Sequence, residues 1–222
     1  TTEIYTLSLH DALPIFDAGL RTYMLAVYNY MASGLLLTGI VAMLVANSAG
    51  VRAVFFAASG TPTLLGWIAV FAPLALVFTL SVGINRLSEP TVKALFWTYA
   101  ILMGVSLSTI LLAYTGVSVA RTFFVTAAAF GGLSLWGYTT KRNLSAFGTF
   151  LIMGVVGLLI AMIVNMFLRS STLDLIVSAI GVLLFAGLTA FDTQKIKSVY
   201  FDVAGTEFRG KAVVMGALTL YL

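Results

Sequence analysis

Residues 181–200 read GVLLFAGLTAFDTQKIKSVY, an apolar run that carries one carboxylate, Asp192, and then becomes basic. Burying an ionised side chain in hydrocarbon is unfavourable, so an ionisable group in or beside a membrane span is a functional-site hypothesis by default. Asp192 is the only one of the eight acidic residues that follows an apolar run without a break. The alternative is a helix end at the membrane–water boundary, with Lys195 one turn further on. The stretch therefore predicts a transmembrane helix and leaves both roles of Asp192 open.

The composition of the whole chain agrees with this stretch. Of the 222 residues, 60% are hydrophobic and 9% are charged, and the mean hydropathy is +1.06. Because a soluble domain carries roughly 25% charged residues, these values indicate a polytopic membrane protein. The sequence has no cysteine and a single histidine, His10, which excludes disulfides, thiol nucleophiles, histidine-ligated zinc and His-based triads. The net charge of +4 comes from basic residues spread singly over short loops, so we expect no nucleic-acid partner.

Residues 1–15, TTEIYTLSLHDALPI, do not match the rest of the chain. They lack the basic start and long apolar core of a signal peptide, and SLHDALPI resembles translated sequencing-adaptor sequence. We interpret residues 1–15 as a non-native or disordered leader. Residues 16–222 are predicted to form a single transmembrane domain.

Runs of about 20 apolar residues, the length that crosses a bilayer as a helix, occur six times. The predicted spans are residues 20–46, 63–84, 91–114, 120–138, 144–168 and 175–196. Pro73 predicts a kink in the second span. Residues 197–211 are predicted as a polar loop, and residues 212–222, AVVMGALTLYL, as a truncated seventh helix. The predicted fold is therefore all-α, a polytopic transmembrane helix bundle.

The distribution of basic residues predicts the orientation of this bundle. Nine of the 12 Lys and Arg residues fall on the N-terminal side of the predicted membrane: Arg21, Arg86, Lys93, Lys141, Arg142, Lys195, Lys197, Arg209 and Lys211. The other three, Arg52, Arg121 and Arg169, fall on the opposite side. Because basic residues are enriched in cytoplasmic loops, the N-terminus is predicted to be cytoplasmic, with Arg86 and Asp192 at the same boundary.

Helical spacing predicts two faces inside the bundle. The face on the fifth span consists of Gly154, Gly157, Ala161 and Asn165. The face on the sixth span consists of Ser178, Gly181, Phe185, Thr189 and Asp192, which we expect to point inward. Small residues let helices approach closely, so we favour a packing hydrogen bond for Asn165. A polar pathway through Asn165, Thr189 and Ser178 is the alternative.

Arg86 closes the second span on the same predicted side as Asp192. Desolvation and a nearby guanidinium act on a carboxylate in opposite directions, so an ion pair here could join two helices and separate on protonation. The two residues could equally be unrelated boundary residues, each reaching to water. Their spacing leaves both interpretations open.

Three stretches carry a resemblance to a known family: GLRTYMLAVYNYMASGLLLTGIVA at residues 19–42, RLSEPTVKALFWTYAILMGVSLS at 86–108, and FAGLTAFDTQKIKSVY at 185–200. Together they resemble the bacterial branch of the Bax inhibitor-1 family, and the string AFDTQKIK is the most specific part. The resemblance implies six helices around a central seventh. It also implies a pH-sensitive calcium leak channel, and for some bacterial members binding and restraint of a membrane-anchored ATP-dependent protease.

The same resemblance implies roles for two residues. The family's sensor is a pair of aspartates on the sixth and seventh helices, joined by an arginine of the second helix. Asp192 matches the first aspartate, and Arg86 lies where the arginine is expected. The second aspartate would directly follow the LYL motif, where this sequence has its last residue, Leu222. Two close carboxylates cannot both ionise easily, so such a pair acts as a proton switch and supplies oxygen ligands for calcium.

These observations bear on three functions: an ion channel, a regulatory membrane protein and an enzyme. The first is a pH-sensitive calcium or cation leak channel in a bacterial inner membrane, with calcium as the transported ion and Asp192 as its candidate ligand. The second is a regulatory protein that binds the membrane-anchored protease, favoured because no row of carboxylates lines a pore. An enzyme is not expected, because HExxH and GxSxG motifs are absent. We expect the lipid bilayer as surroundings and no cofactor.

Overall fold

The computed structural model describes residues 18–57 and 59–222, and these residues form eight helices. The helices are α1 (Ala18–Asn47), α2 (Ala49–Phe55), α3 (Leu64–Gly83), α4 (Glu89–Ala113), α5 (Gly116–Thr139), α6 (Ser145–Leu168), α7 (Ser171–Val203) and α8 (Arg209–Tyr221). The predicted leader, residues 1–15, lies outside the described residues. Strand structure in the described part is limited to one isolated bridge between Phe56 and Pro62. The all-α prediction is confirmed.

Six of the helices described, α1 and α3 to α7, are long and apolar enough to cross a membrane. They coincide with the six predicted spans, with ends that differ by a few residues except at the end of α7. The polar turns between them supply the helix starts. The Thr63 hydroxyl accepts a hydrogen bond from Gly66 N at 3.1 Å, and the Ser88 hydroxyl accepts one from Thr91 N at 3.4 Å. These are N-cap bonds that satisfy backbone donors at a helix start.

Two local predictions were wrong. Residues 49–55, predicted as loop, form the short helix α2. Helix α7 continues to Val203, seven residues beyond the predicted end at residue 196, and shortens the predicted loop of residues 197–211. The physical reason for the longer helix is its apolar spacing: Ile196, Tyr200 and Val203 recur on one helical face and all three are buried.

The described residues divide into two compact units. The first takes the residues up to Thr122 together with Tyr200–Leu222, and the second is Phe123–Val199. Each unit is described by itself, and the prediction of a single domain over residues 16–222 stays a prediction.

In the first unit, α4 packs against α1 and α3, and α8 packs against both α1 and α4. A polar link fixes α8 in this packing. The Thr38 hydroxyl donates to Ala100 O at 2.7 Å, so its oxygen accepts from the Tyr221 hydroxyl at 2.5 Å. The Tyr221 ring also packs edge-on against Tyr99, with the ring centroids 5.1 Å apart. Buried polar groups are thus paired where α1, α4 and α8 meet.

In the second unit, glycines bring α7 close to α5 and α6. A Cβ added at Gly137 of α5 would collide with the backbone of Ala190, and one added at Gly148 of α6 would collide with the Phe191 ring. On the predicted face of α6, a Cβ at Gly154 would lie 2.6 Å from a Leu184 methyl, whereas Gly157 borders open space. Close approach of this kind replaces the hydrophobic driving force that is absent between helices in lipid.

Candidate functional site

Asp192 lies on α7 and is half-buried. Its neighbour Thr193 is fully buried, and the Thr193 hydroxyl donates to Thr189 O at 2.8 Å and lies 3.5 Å from the Ser134 hydroxyl. Among the described residues of its own unit, the Asp192 carboxylate accepts no hydrogen bond and forms no ion pair. The hydroxyl of the neighbouring Thr193 is therefore hydrogen-bonded, whereas the Asp192 carboxylate is not.

The residues after Asp192 fix α7 against the turn between α5 and α6. Gln194 Nε2 donates to Arg142 O at 2.8 Å, and Gln194 Oε1 accepts from Leu144 N at 2.8 Å. Both amide atoms of one side chain are thus bonded to the backbone of the same turn. This bidentate link sets the height of Asp192 relative to the ends of α5 and α6.

Lys197 forms a second link one turn further along α7. Its Nζ donates to Tyr138 O at 2.8 Å and lies 5.1 Å from the centre of the Tyr138 ring. The carbonyl satisfied in this way belongs to the last turn of α5, where helix carbonyls lack helical partners and cations are favoured. Sequence reasoning assigned no role to Gln194 or Lys197, although both belong to the AFDTQKIK string.

Arg86 lies in the turn between α3 and α4 and is exposed. Two interactions of the first unit lie at or beside this turn. Lys211 Nζ, at the start of α8, donates to Ile84 O at 3.3 Å. Glu89 pairs with Lys93 at 2.6 Å, which is the one ion pair among residues 18–57 and 59–222. Since Arg86 and Asp192 belong to different units, their approach stays a prediction.

Asn165, the last residue of the predicted face on α6, is 7% exposed. Its Nδ2 donates to a carboxylate oxygen of Asp174, and its Oδ1 accepts from Ser170 N at 2.9 Å. These bonds join the end of α6 to the first turn of α7, across a turn in which Arg169 has a positive φ of 49°. Asp174 immediately precedes the predicted sixth span. Its carboxylate therefore has a structural partner, Asn165, that its position in the sequence did not indicate.

The two other candidate residues of a polar pathway lie on α7. Ser178 is exposed, and together with Asn165 and Asp174 it lines a shallow pocket at one end of the second unit. Thr189 is half-buried and donates to Phe185 O of its own helix at 2.9 Å. Of the face predicted to point inward, Gly181 is buried, whereas the Phe185 side chain is 50% exposed.

A calcium site would need several oxygen ligands, usually six to eight. Within the described part of the chain, no three acidic or histidine side chains lie close enough together to hold a metal ion. Asp192 is thus a single carboxylate, and its role as a calcium ligand stays a prediction.

Comparison with known proteins adds to this description. The family model described as inhibitor of apoptosis-promoting Bax1 matches residues 20–222. An uncharacterized protein of Rickettsia prowazekii is 46% identical over 217 residues, which cover 98% of this chain and 90% of that protein. The inner membrane protein YbhL of Escherichia coli K12 is 48% identical over 207 residues, 92% of this chain and 87% of that protein. The match and the six apolar helices indicate a multi-pass bacterial inner membrane protein, and the chain belongs to the Bax inhibitor-1 family.

Proposed function

We propose that this chain provides a pH-sensitive leak pathway for calcium or another cation, with Asp192 as the carboxylate that gains and loses the proton. The observation that carries the proposal is the environment of this residue. Asp192 is half-buried on a membrane-spanning helix, and among the described residues of its own unit its carboxylate has no hydrogen-bond partner. A half-buried carboxylate without a hydrogen bond or an ion pair can exchange a proton or contact a passing cation.

Of the three other acidic residues of the described spans, Asp202 is exposed near the end of α7, and the remaining two support this assignment. Glu89 pairs with Lys93, and Asp174 accepts from Asn165, and both lie in the first turns of their helices. Their charges are compensated at helix ends, where acidic groups are favoured in any case. Asp192 lies well inside α7 and has no ion pair and no hydrogen bond among the described residues of its unit, although the positive charge of Lys195 lies one turn further on.

Two finer assignments belong to the same proposal. Arg86 serves as the cationic partner that releases Asp192 on protonation. Helix α8 supplies the start of a central seventh helix. Its packing against α1 and α4, with Val214 and Ala217 fully buried, supports the second assignment.

The test is calcium entry into liposomes that contain the purified protein and a calcium-sensitive dye. The proposal expects entry above that of protein-free liposomes, and entry should scale with the amount of reconstituted protein. A matched pair of variants identifies the residue: Asp192→Asn should alter the flux, whereas Asp202→Asn, the same change at an exposed position near the end of α7, should not. Equal flux with and without protein would refute the leak pathway.

The alternative is a protein that binds and restrains a membrane-anchored ATP-dependent protease. It is favoured by the scarcity of acidic side chains along the described spans, because a cation pore commonly carries rings of them. If liposomes show no flux, this alternative predicts that the chain co-purifies with such a protease after mild detergent extraction. Absence of both flux and co-purification would refute the two functions together.

A further inference from the structure

The second unit carries a basic pocket beside Asp192, which itself is not part of the pocket lining. It lies where the turn between α5 and α6 faces the last turns of α7, and its volume is about 500 Å³. Its lining includes Lys141, Arg142, Asn143, Ser145, Phe191 and Lys195. We refer to these six residues as the basic pocket.

The three cations of the basic pocket are not neutralised by ion pairs. Lys141, Arg142 and Lys195 are exposed, and none has a carboxylate within 4.0 Å among the described residues. Hydrogen-bond donors stand beside them: Asn143 and Ser145 both line the pocket. The lining contains no acidic residue. A pocket with three cations and additional donors is complementary to an anion with several oxygens, such as a phosphate group.

The backbone of the basic pocket is held in place. Gln194 bonds both Arg142 O and Leu144 N, so the turn that carries two of the cations is fixed to the helix that carries the third. Asn143 Oδ1 accepts from Ser145 N at 2.9 Å and shapes the start of α6. A preformed arrangement loses less entropy when a ligand binds than flexible surface lysines do.

The position of the basic pocket favours a lipid over a soluble anion. It lies where α5 ends and α6 begins, beside residues 191–198 of α7, and the ends of two membrane-spanning helices are the level expected for lipid headgroups. Phe191 forms its apolar wall. Deeper along α6, Phe147 and Phe150 are 45% and 65% exposed, with ring centroids 6.1 Å apart. Exposed aromatic rings in the first two turns of α6, the helix that begins at the pocket residue Ser145, offer a surface for an acyl chain.

We propose that the basic pocket binds the phosphate of an anionic phospholipid, with Lys141, Arg142 and Lys195 on the headgroup and the Phe147–Phe150 pair against an acyl chain. Phosphatidylglycerol represents this class. The proposal concerns a bound lipid and does not depend on ion conduction, so failure of the leak pathway would leave it intact.

The experiment is native mass spectrometry of the purified chain mixed with equal amounts of phosphatidylglycerol and phosphatidylcholine that carry the same acyl chains. The wild-type chain should retain phosphatidylglycerol in preference. Each basic residue near a membrane surface contributes enough attraction to change affinity about fivefold. We therefore expect roughly a fivefold loss of that preference in Lys195→Gln and a larger loss in the triple variant Lys141→Gln, Arg142→Gln and Lys195→Gln.

The matched control is Arg169→Gln, which removes the same charge from the opposite end of α6. It should retain the preference of the wild-type chain. If Lys195→Gln and Arg169→Gln behave alike, or if phosphatidylcholine binds as well as phosphatidylglycerol, the proposal is wrong. Inorganic phosphate at the same concentration should not displace the lipid, and displacement by it would show a soluble-anion site and refute the lipid assignment. The single variant keeps the test decisive should the triple variant fail to fold.

Discussion

Asp192 lies well inside a described span, and among the described residues of its own unit its carboxylate has no hydrogen bond and no ion pair, although the positive charge of Lys195 lies one turn further on. The sequence indicated its importance, since a charge at the end of an unbroken apolar run is rare and unfavourable. The sequence could not indicate how Asp192 is positioned. The bonds from Gln194 end on backbone atoms about 50 residues away, and backbone acceptors leave no signature in a sequence pattern. The bond from Asn165 goes to the side chain of Asp174 across a tight turn, a partner that helical spacing along α6 could not indicate.

The first prediction concerns the pairing of Arg86 with Asp192. The given sequence has no cysteine, so Arg86→Cys and Asp192→Cys introduce a unique thiol pair. We expect a short bismaleimide to join them within one chain, because the predicted pairing of Arg86 with Asp192 requires these two positions to lie close together on the same membrane side. The measurement is the mobility of the chain on a denaturing gel after cleavage in the loop between α5 and α6. Pairing Arg86→Cys with Asp174→Cys, at the other end of α7, is the control, and equal cross-linking of both pairs would contradict the prediction.

At the scale of the elements, hydropathy predicted all six spans because some 20 consecutive apolar residues are a strong signal. The end of α7 was misplaced since polar residues after Asp192 alternate with Ile196, Tyr200 and Val203, which are buried in the fold. Tyr200, for example, meets the Tyr23 ring of α1 at a centroid distance of 5.5 Å. Long-range packing of this kind extends a helix beyond the point where its hydropathy falls. Glycine spacing indicated close helix contacts but could not separate Gly154, which has one, from Gly157, which has none.

The second prediction uses this difference between glycines. Gly137→Ala should lower the free energy of unfolding by about 1–3 kcal/mol, since its Cβ would collide with backbone atoms of Ala190 that cannot move easily. Gly157→Ala borders open space and should change it by no more than about 1 kcal/mol, in the stabilising direction. Unfolding by titration with sodium dodecyl sulfate, followed by circular dichroism, measures both. Equal destabilisation by the two variants would show that α5 and α7 are not in close contact at this glycine.

At the scale of the whole molecule, family membership and a multi-pass inner membrane architecture follow from the comparisons and the six apolar helices. The orientation remains a prediction, based on nine basic residues on one side against three on the other. The distribution of Lys and Arg over the loops sets the orientation during membrane insertion. Helix packing alone does not indicate which side of the membrane is cytoplasmic.

The third prediction tests this orientation. Ser198→Cys, exposed near the end of α7, should be protected in intact cells from a thiol reagent that cannot cross the membrane, whereas Ser59→Cys, exposed in the loop before α3, should react. Both should react after the membrane is permeabilised, which controls for accessibility. The reverse pattern would place the N-terminus outside.

We expect Asp192 to make cation flux depend on pH, and the pH profile of calcium flux tests this. Calcium flux is recorded between about pH 6 and 8, where a coupled carboxylate pair can titrate. The chain is extended by an aspartate directly after Leu222, the position at which the family resemblance implies the second carboxylate. Protonation is expected to remove the negative charge that would hold Arg86, so flux should rise as the pH falls. Asp192→Asn should flatten this dependence whatever its effect on maximal flux. An unchanged pH profile in the extended Asp192→Asn variant would contradict the account.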